Sequence, residues 1–138
     1  MDENGICPIN FRVPSEDDWI DLVSYLDDYP IPVDSGWGTW TETVGGMLKE
    51  EGMDHWMSPN AGATNEVGFT AVPAGIRIAQ YAGYNGEFFG AGAFSYFWSL
   101  HNNSQPWTWD IEGWNVLLDY NSGDILNRFY PEGFGCSV

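Results

Sequence analysis

Positive charge is what this 138-residue sequence has least of: four Lys and Arg stand against 20 Asp and Glu, a formal charge of −16. Binding nucleic-acid phosphates takes clustered cations. Arg12, Lys49, Arg77 and Arg128 are scattered singly, which argues against a nucleic-acid partner and against an anionic membrane surface. No apolar run reaches the roughly 20 residues of a spanning helix, so membrane insertion is not expected. Asp2 and Glu3 have the wrong charge to open a secretory signal; an exported protein would take its signal from outside these residues. There are two histidines, His55 and His101, each near serines (Ser58, Ser99, Ser104), and no G-x-S-x-G elbow. Cys7 and Cys136 lie in neither a CxxC nor a Cys/His cluster, so no zinc site is expected. Paired, they would close a loop of about 130 residues, worth roughly 4–5 kcal/mol in the chain-entropy model; unpaired, they are two buried thiols. The residues leave both readings open.

What is abundant is aromatic: eight Trp, seven Tyr and eight Phe. An acidic disordered chain lacks such residues, so a folded domain is expected. Its length suits a single domain over 1–138. Ser15 ahead of Glu16, Asp17 and Asp18 reads as a hydroxyl N-cap followed by acids that suit the helix dipole. Trp19, Leu22, Val23 and Leu26 then fall on one helical face, and Pro30 and Pro32 end it. A weaker helix is predicted over Val44 to Glu51, closed by Gly52, with Gly45 and Gly46 lowering its propensity. From Gly68 onward, short apolar runs at Phe69–Val72, Phe94–Trp98 and Trp114–Leu118 alternate with Gly- and Asn-bearing turns such as 84–87 and 121–124. Helix first and irregular sheet second predicts an α+β domain.

Several motifs stand in a familiar order. Cys7-Pro8, then Phe11-Arg12-Val13-Pro14-Ser15 and Asp18-Trp19, lead to Trp56-Met57-Ser58-Pro59-Asn60 and Gly62-Ala63-Thr64-Asn65-Glu66. Gly68-Phe69-Thr70-Ala71-Val72-Pro73-Ala74-Gly75-Ile76-Arg77 follows, then Phe97-Trp98-Ser99, Asn115–Tyr120 and Gly133–Val138. Together they resemble the Fibrobacter succinogenes major paralogous domain family. The resemblance implies a C-type-lectin-like fold, related to the formylglycine-generating-enzyme group: one or two helices on a small twisted antiparallel sheet with long irregular loops. It also implies an extracellular or cell-surface location. The family's usual upstream segment and closing residues are missing, so the domain reads as trimmed at its ends. Cys7 and Cys136 do not match the local motif of the cysteine pair that formylglycine chemistry uses, so that activity is not carried over.

The segment from His101 to Glu112 is the leading candidate for recognition. Trp107 and Trp109 alternate with polar residues, so in an extended loop both rings face one side, beside Asn102, Asn103 and Asp110. Indole faces stack on the C–H faces of sugar rings, while amides and carboxylates meet the hydroxyls. The competing reading makes both tryptophans core residues under a long loop. Trp37 and Trp40 form a second candidate pair with the same alternative. Ca2+ is a candidate cofactor because Asp110, Glu112, Asn115, Asp119, Asn121 and Asp124 are close in sequence and hard cations take oxygen ligands; no EF-hand spacing is present. The expected function is a non-catalytic binding or adhesion module for a glycan or surface protein ligand. The alternative is a structural subunit of a self-associating surface assembly, and a divergent enzyme of the formylglycine-enzyme fold group ranks behind both.

Overall fold

The computed structural model describes residues 7–27, 38–78, 86–100 and 112–131. Helix α1 (Glu16–Asp27) starts where the sequence places it. The Asp18 N–H donates to Ser15 Oγ at 3.2 Å, and the Ser15 N–H returns a bond to the Asp18 carboxylate at 2.7 Å. This is a reciprocal capping box with Asp in place of Glu. Arg12 grips the same carboxylate from the preceding segment, Nη2 to Oδ1 at 2.6 Å. Trp19 and Val23 are buried, and Ile20, Leu22 and Leu26 pack partly buried against the core.

Strand β1 (Gly38–Thr41) leads into α2 (Val44–Leu48), and two-residue strands β2 (Ile76–Arg77) and β3 (Phe88–Phe89) pair antiparallel. Strands β4 (Phe94–Ser99), β5 (Glu112–Asp119) and β6 (Ile125–Pro131) complete a four-stranded antiparallel sheet in the order β1-β6-β5-β4. The predicted turn at 121–124 joins β5 to β6. There the Asn121 N–H donates to Asp119 Oδ1 at 2.8 Å and the Asp124 N–H to Ser122 Oγ at 3.1 Å.

Alternation along the strands splits the sheet into two faces. Trp114, Val116, Leu118 and Ile125 meet Trp19 and Val23 of α1 and Val44 and Leu48 of α2 in the main core. Tyr96 and Leu117 turn to the other face, where Ile76 covers them with Ile78, Phe94 and Leu126. The described residues form a small α+β protein with two helices and antiparallel sheets, as predicted.

Two sequence expectations need correction. Helix α2 stops at Leu48 instead of Glu51, because Lys49 turns extended (φ −69°, ψ 145°) and bridges Ala71. Phe69–Val72 is not a strand: Thr70 adopts φ +56°. Asn65 holds it there, accepting from the Thr70 N–H at 2.8 Å and donating to Thr70 Oγ1 at 2.9 Å. The other Pro- and turn-based expectations, at 30, 32, 84 and 85, lie outside the described residues.

Candidate binding surface

Of the residues singled out for recognition, Trp37, Asn102, Asn103, Trp107, Trp109 and Asp110 lie outside the described residues, as does Cys136. Cys7 is half-buried and, among the described residues, has no cysteine to pair with. Trp40 is partly buried, tilted 36° against Trp114 with ring centroids 5.1 Å apart. Its ring thus flanks the core. His55 is exposed and bonded through Nδ1 to the Glu50 carboxylate at 2.9–3.0 Å. Among the described residues, no three His, Cys, Asp or Glu side chains gather as a metal site would.

The root of the Trp/Asn-rich segment is firmly held. Leu100, where the chain leaves β4, donates its N–H to the Pro14 carbonyl at 2.8 Å and accepts from the Glu16 N–H at 3.1 Å. Ser99 Oγ also donates to the Pro14 carbonyl, at 3.1 Å. The capped start of α1 and the end of β4 are therefore one unit. Beside it, between α1 and the sheet edge, lies a cavity of about 250 Å3 walled by Pro14, Trp19, Leu22, Phe69, Phe97 and Trp98. Three of these rings form a cluster. Trp19 lies 5.6 Å from Phe97 and 6.1 Å from Phe69, while Phe69 meets Phe97 edge-on at 5.7 Å. Asp18 adds the one charged wall. The Arg12 guanidinium and the Ser15 bonds hold its carboxyl well below the usual carboxylate range.

A second cluster was not foreseen. Lys49 is fully buried, and its Nζ donates to the carbonyls of Ala61, Asp119 and Ser122 at 2.8, 2.9 and 2.8 Å. An ammonium has three donors, and all three are used. Burial pushes Lys49 down to about 8, against the opposing pull of Asp119 and Asp124. Asp119 and Asp124 had been calcium candidates. Here the positive charge among converging oxygens is a lysine, tying α2 to the 61 loop and the β5–β6 turn. Nothing in the local sequence distinguishes it from a solvated surface lysine.

The model of the Fibrobacter succinogenes major domain matches residues 1–135. The chain belongs to that family. No curated protein and no solved structure matches it. In this Fibrobacter succinogenes major domain, the motif residues are largely frame. Trp56 is buried and donates its Nε1–H to the Ala71 carbonyl at 2.9 Å. Asn60, also buried, donates to the carbonyls of Glu50 and Gly52 at 2.9 and 2.6 Å. Gly75 has φ +73°, and a Cβ there would stand 2.4 Å from the Phe89 carbonyl oxygen. These roles explain why such residues mark a fold. No helix among the described residues is long and apolar enough to cross a membrane.

Proposed function

We propose that this Fibrobacter succinogenes major domain is a non-catalytic binding module of the cell exterior, secreted or surface-displayed. Its fold is of the C-type-lectin-like type, and it recognises a glycan or a surface protein ligand through the Trp/Asn-rich connection between β4 and β5. One observation carries this reading. Ser99 pairs directly with Trp114, so β4 and β5 are antiparallel neighbours. Two to five residues suffice to join such strands. The connection from Leu100 to Ile111 far exceeds that need. Long connections on a rigid scaffold are where binding residues concentrate, and this one carries Asn102, Asn103, Trp107, Trp109 and Asp110. Its root at Leu100 is fixed to the start of α1.

The test is a glycan array followed by calorimetry, with and without Ca2+, on the full chain and on Trp107→Ala and Trp109→Ala. Binding that falls by about tenfold or more in either variant, at unchanged melting temperature, supports the reading. Binding unaffected by both variants, or no binding across the array and a panel of surface proteins, removes it.

A further inference from the structure

Among the described residues, the outer edge of β4 has a gap in its pairing. The odd-numbered residues of β4 give their peptide groups to β5, a ladder that the Tyr120 N–H continues to the Ala93 carbonyl at 2.9 Å. The even-numbered residues therefore turn theirs outward. At one end, the Phe94 carbonyl accepts from the Gly75 N–H at 2.8 Å; at the other, Leu100 exchanges bonds with Pro14 and Glu16. Both of these partners run parallel to β4. Between them, the outward N–H and C=O of Trp98 meet no backbone partner among the described residues. Trp98 also lines the aromatic cavity.

An unpaired donor and acceptor on a strand edge, next to an apolar socket, is how a sheet takes up an extended peptide: the main chain pairs and one side chain seats. The cavity, at about 250 Å3, falls below the roughly 300–1,000 Å3 of small-molecule pockets. It suits a single large side chain. Charge then selects the source of the peptide. The chain carries −16, α1 opens with Glu16, Asp17 and Asp18, Arg12 is engaged by Asp18 and Lys49 is buried. A second copy meets like-sign repulsion, while a cationic segment is drawn in.

We infer that the gap in the β4 edge at Trp98 is a docking site for an extended, positively charged peptide segment of a partner protein, which seats one aromatic or large aliphatic side chain in the cavity against the Trp19–Phe69–Phe97 cluster. The site uses none of the residues named for glycan recognition, and it holds or fails independently of that reading.

The test titrates the 15N-labelled full chain with a capped pentapeptide, Lys-Thr-Trp-Thr-Lys. The expected result is a shift of the Trp98 and Leu100 amides, with slowed hydrogen exchange at Trp98. Replacing the central Trp by Ala, or both Lys by Glu, weakens binding by about tenfold or more. N-methylation of alternate peptide amides weakens it for one parity and spares the other, the signature of strand addition. Phe69→Ala lowers affinity from the protein side; Phe69 is 42% exposed, and the methylated peptides keep the test valid should that variant unfold. A Trp98 amide unmoved at about 1 mM peptide, equal effects of both methylation parities, a Trp98 amide protected by dimerisation alone, or one moved instead by oligosaccharides would each overturn the inference.

Discussion

The Lys49 ammonium lies 5.3 Å from the centroid of the Trp56 ring, so a buried cation rests over the indole whose own N–H is tied to Ala71. The same ammonium serves three carbonyls, and among the described residues no other donor meets them. Lys49→Met keeps most of the side-chain volume and strands those carbonyls. A loss of about 3–5 kcal/mol is expected, a large share of the 5–15 kcal/mol typical of a domain. Urea denaturation of the two proteins at pH 7 measures it, and a loss below about 1 kcal/mol would mean that water replaces the ammonium.

Lys49 also gives stability a pH signature. Its folded value, about 8, lies below the ordinary 10.5. Between these limits the unfolded chain binds more protons than the folded one, so stability rises with pH across the window, by up to about 1.4 kcal/mol per unit. Below pH 8 both states are protonated and the contribution is flat. Tyrosines and other groups titrate nearby, so the readout is the difference between the parent chain and Lys49→Met, which should widen from pH 8 to 10.5. A difference that stays constant or narrows contradicts it.

At the start of α1 the sign is reversed. Asp18 is depressed by Arg12 and Ser15, so its contribution is present above the ordinary carboxylate range and is lost as pH falls through and below it. Asp18→Ala removes the carboxylate's half of the capping box, leaving the Ser15 Oγ bond in place, and should cost about 1 kcal/mol; the pair with Arg12 is solvent-exposed and adds little. Acid titration followed by circular dichroism should show a smaller loss below pH 4 in Asp18→Ala than in the parent, and equal losses would assign the acid sensitivity elsewhere.

Helix propensity and packing make opposite predictions for α2. Gly→Ala inside a helix gains up to about 1 kcal/mol from propensity. At Gly45, however, a Cβ would stand 1.9 Å from the Asp124 carbonyl oxygen, and at Gly46 2.1 Å from that of Gly62. Both neighbours are backbone and cannot rotate aside. Gly45→Ala and Gly46→Ala should each destabilise by about 1–3 kcal/mol or more, read as a lowered melting temperature. Neutral variants would show that the 62 and 124 loops yield easily.

That case also shows what a sequence can reveal. Helix α1 is legible because Ser15, Asp18 and the Trp19–Leu26 spacing are local signals. Strands β4 and β5 are legible from their apolar runs. Strand β6 is not, because Asn127 and Arg128 interrupt its pattern; Asn127 is buried through a 2.8 Å bond from the Gly38 N–H, a partner 89 residues away. Gly45 and Gly46 look like helix weakeners because the backbones they admit come from distant loops. Lys49 and Trp98 escape for the same reason: what matters about each is its surroundings, and long-range contacts leave no local trace. Of the candidate site, the composition of the β4–β5 connection was legible, whereas the cavity walled by α1, Phe69 and β4 required the fold.

Asn115 provides the sharpest remaining test of packing. It lies fully buried in β5, opposite Trp98 on one side and Arg128 on the other, and among the described residues neither its Nδ2 nor its Oδ1 has a hydrogen-bond partner. Each such orphan costs about 1–3 kcal/mol, whereas an apolar group of like shape costs nothing of the kind. Asn115→Leu, with the same branched skeleton and next to Leu117 on the same face, should therefore raise stability by about 1–2 kcal/mol in denaturant unfolding. The sign is informative: a loss of stability would mean that an internal water completes the amide or that the larger side chain overpacks the site.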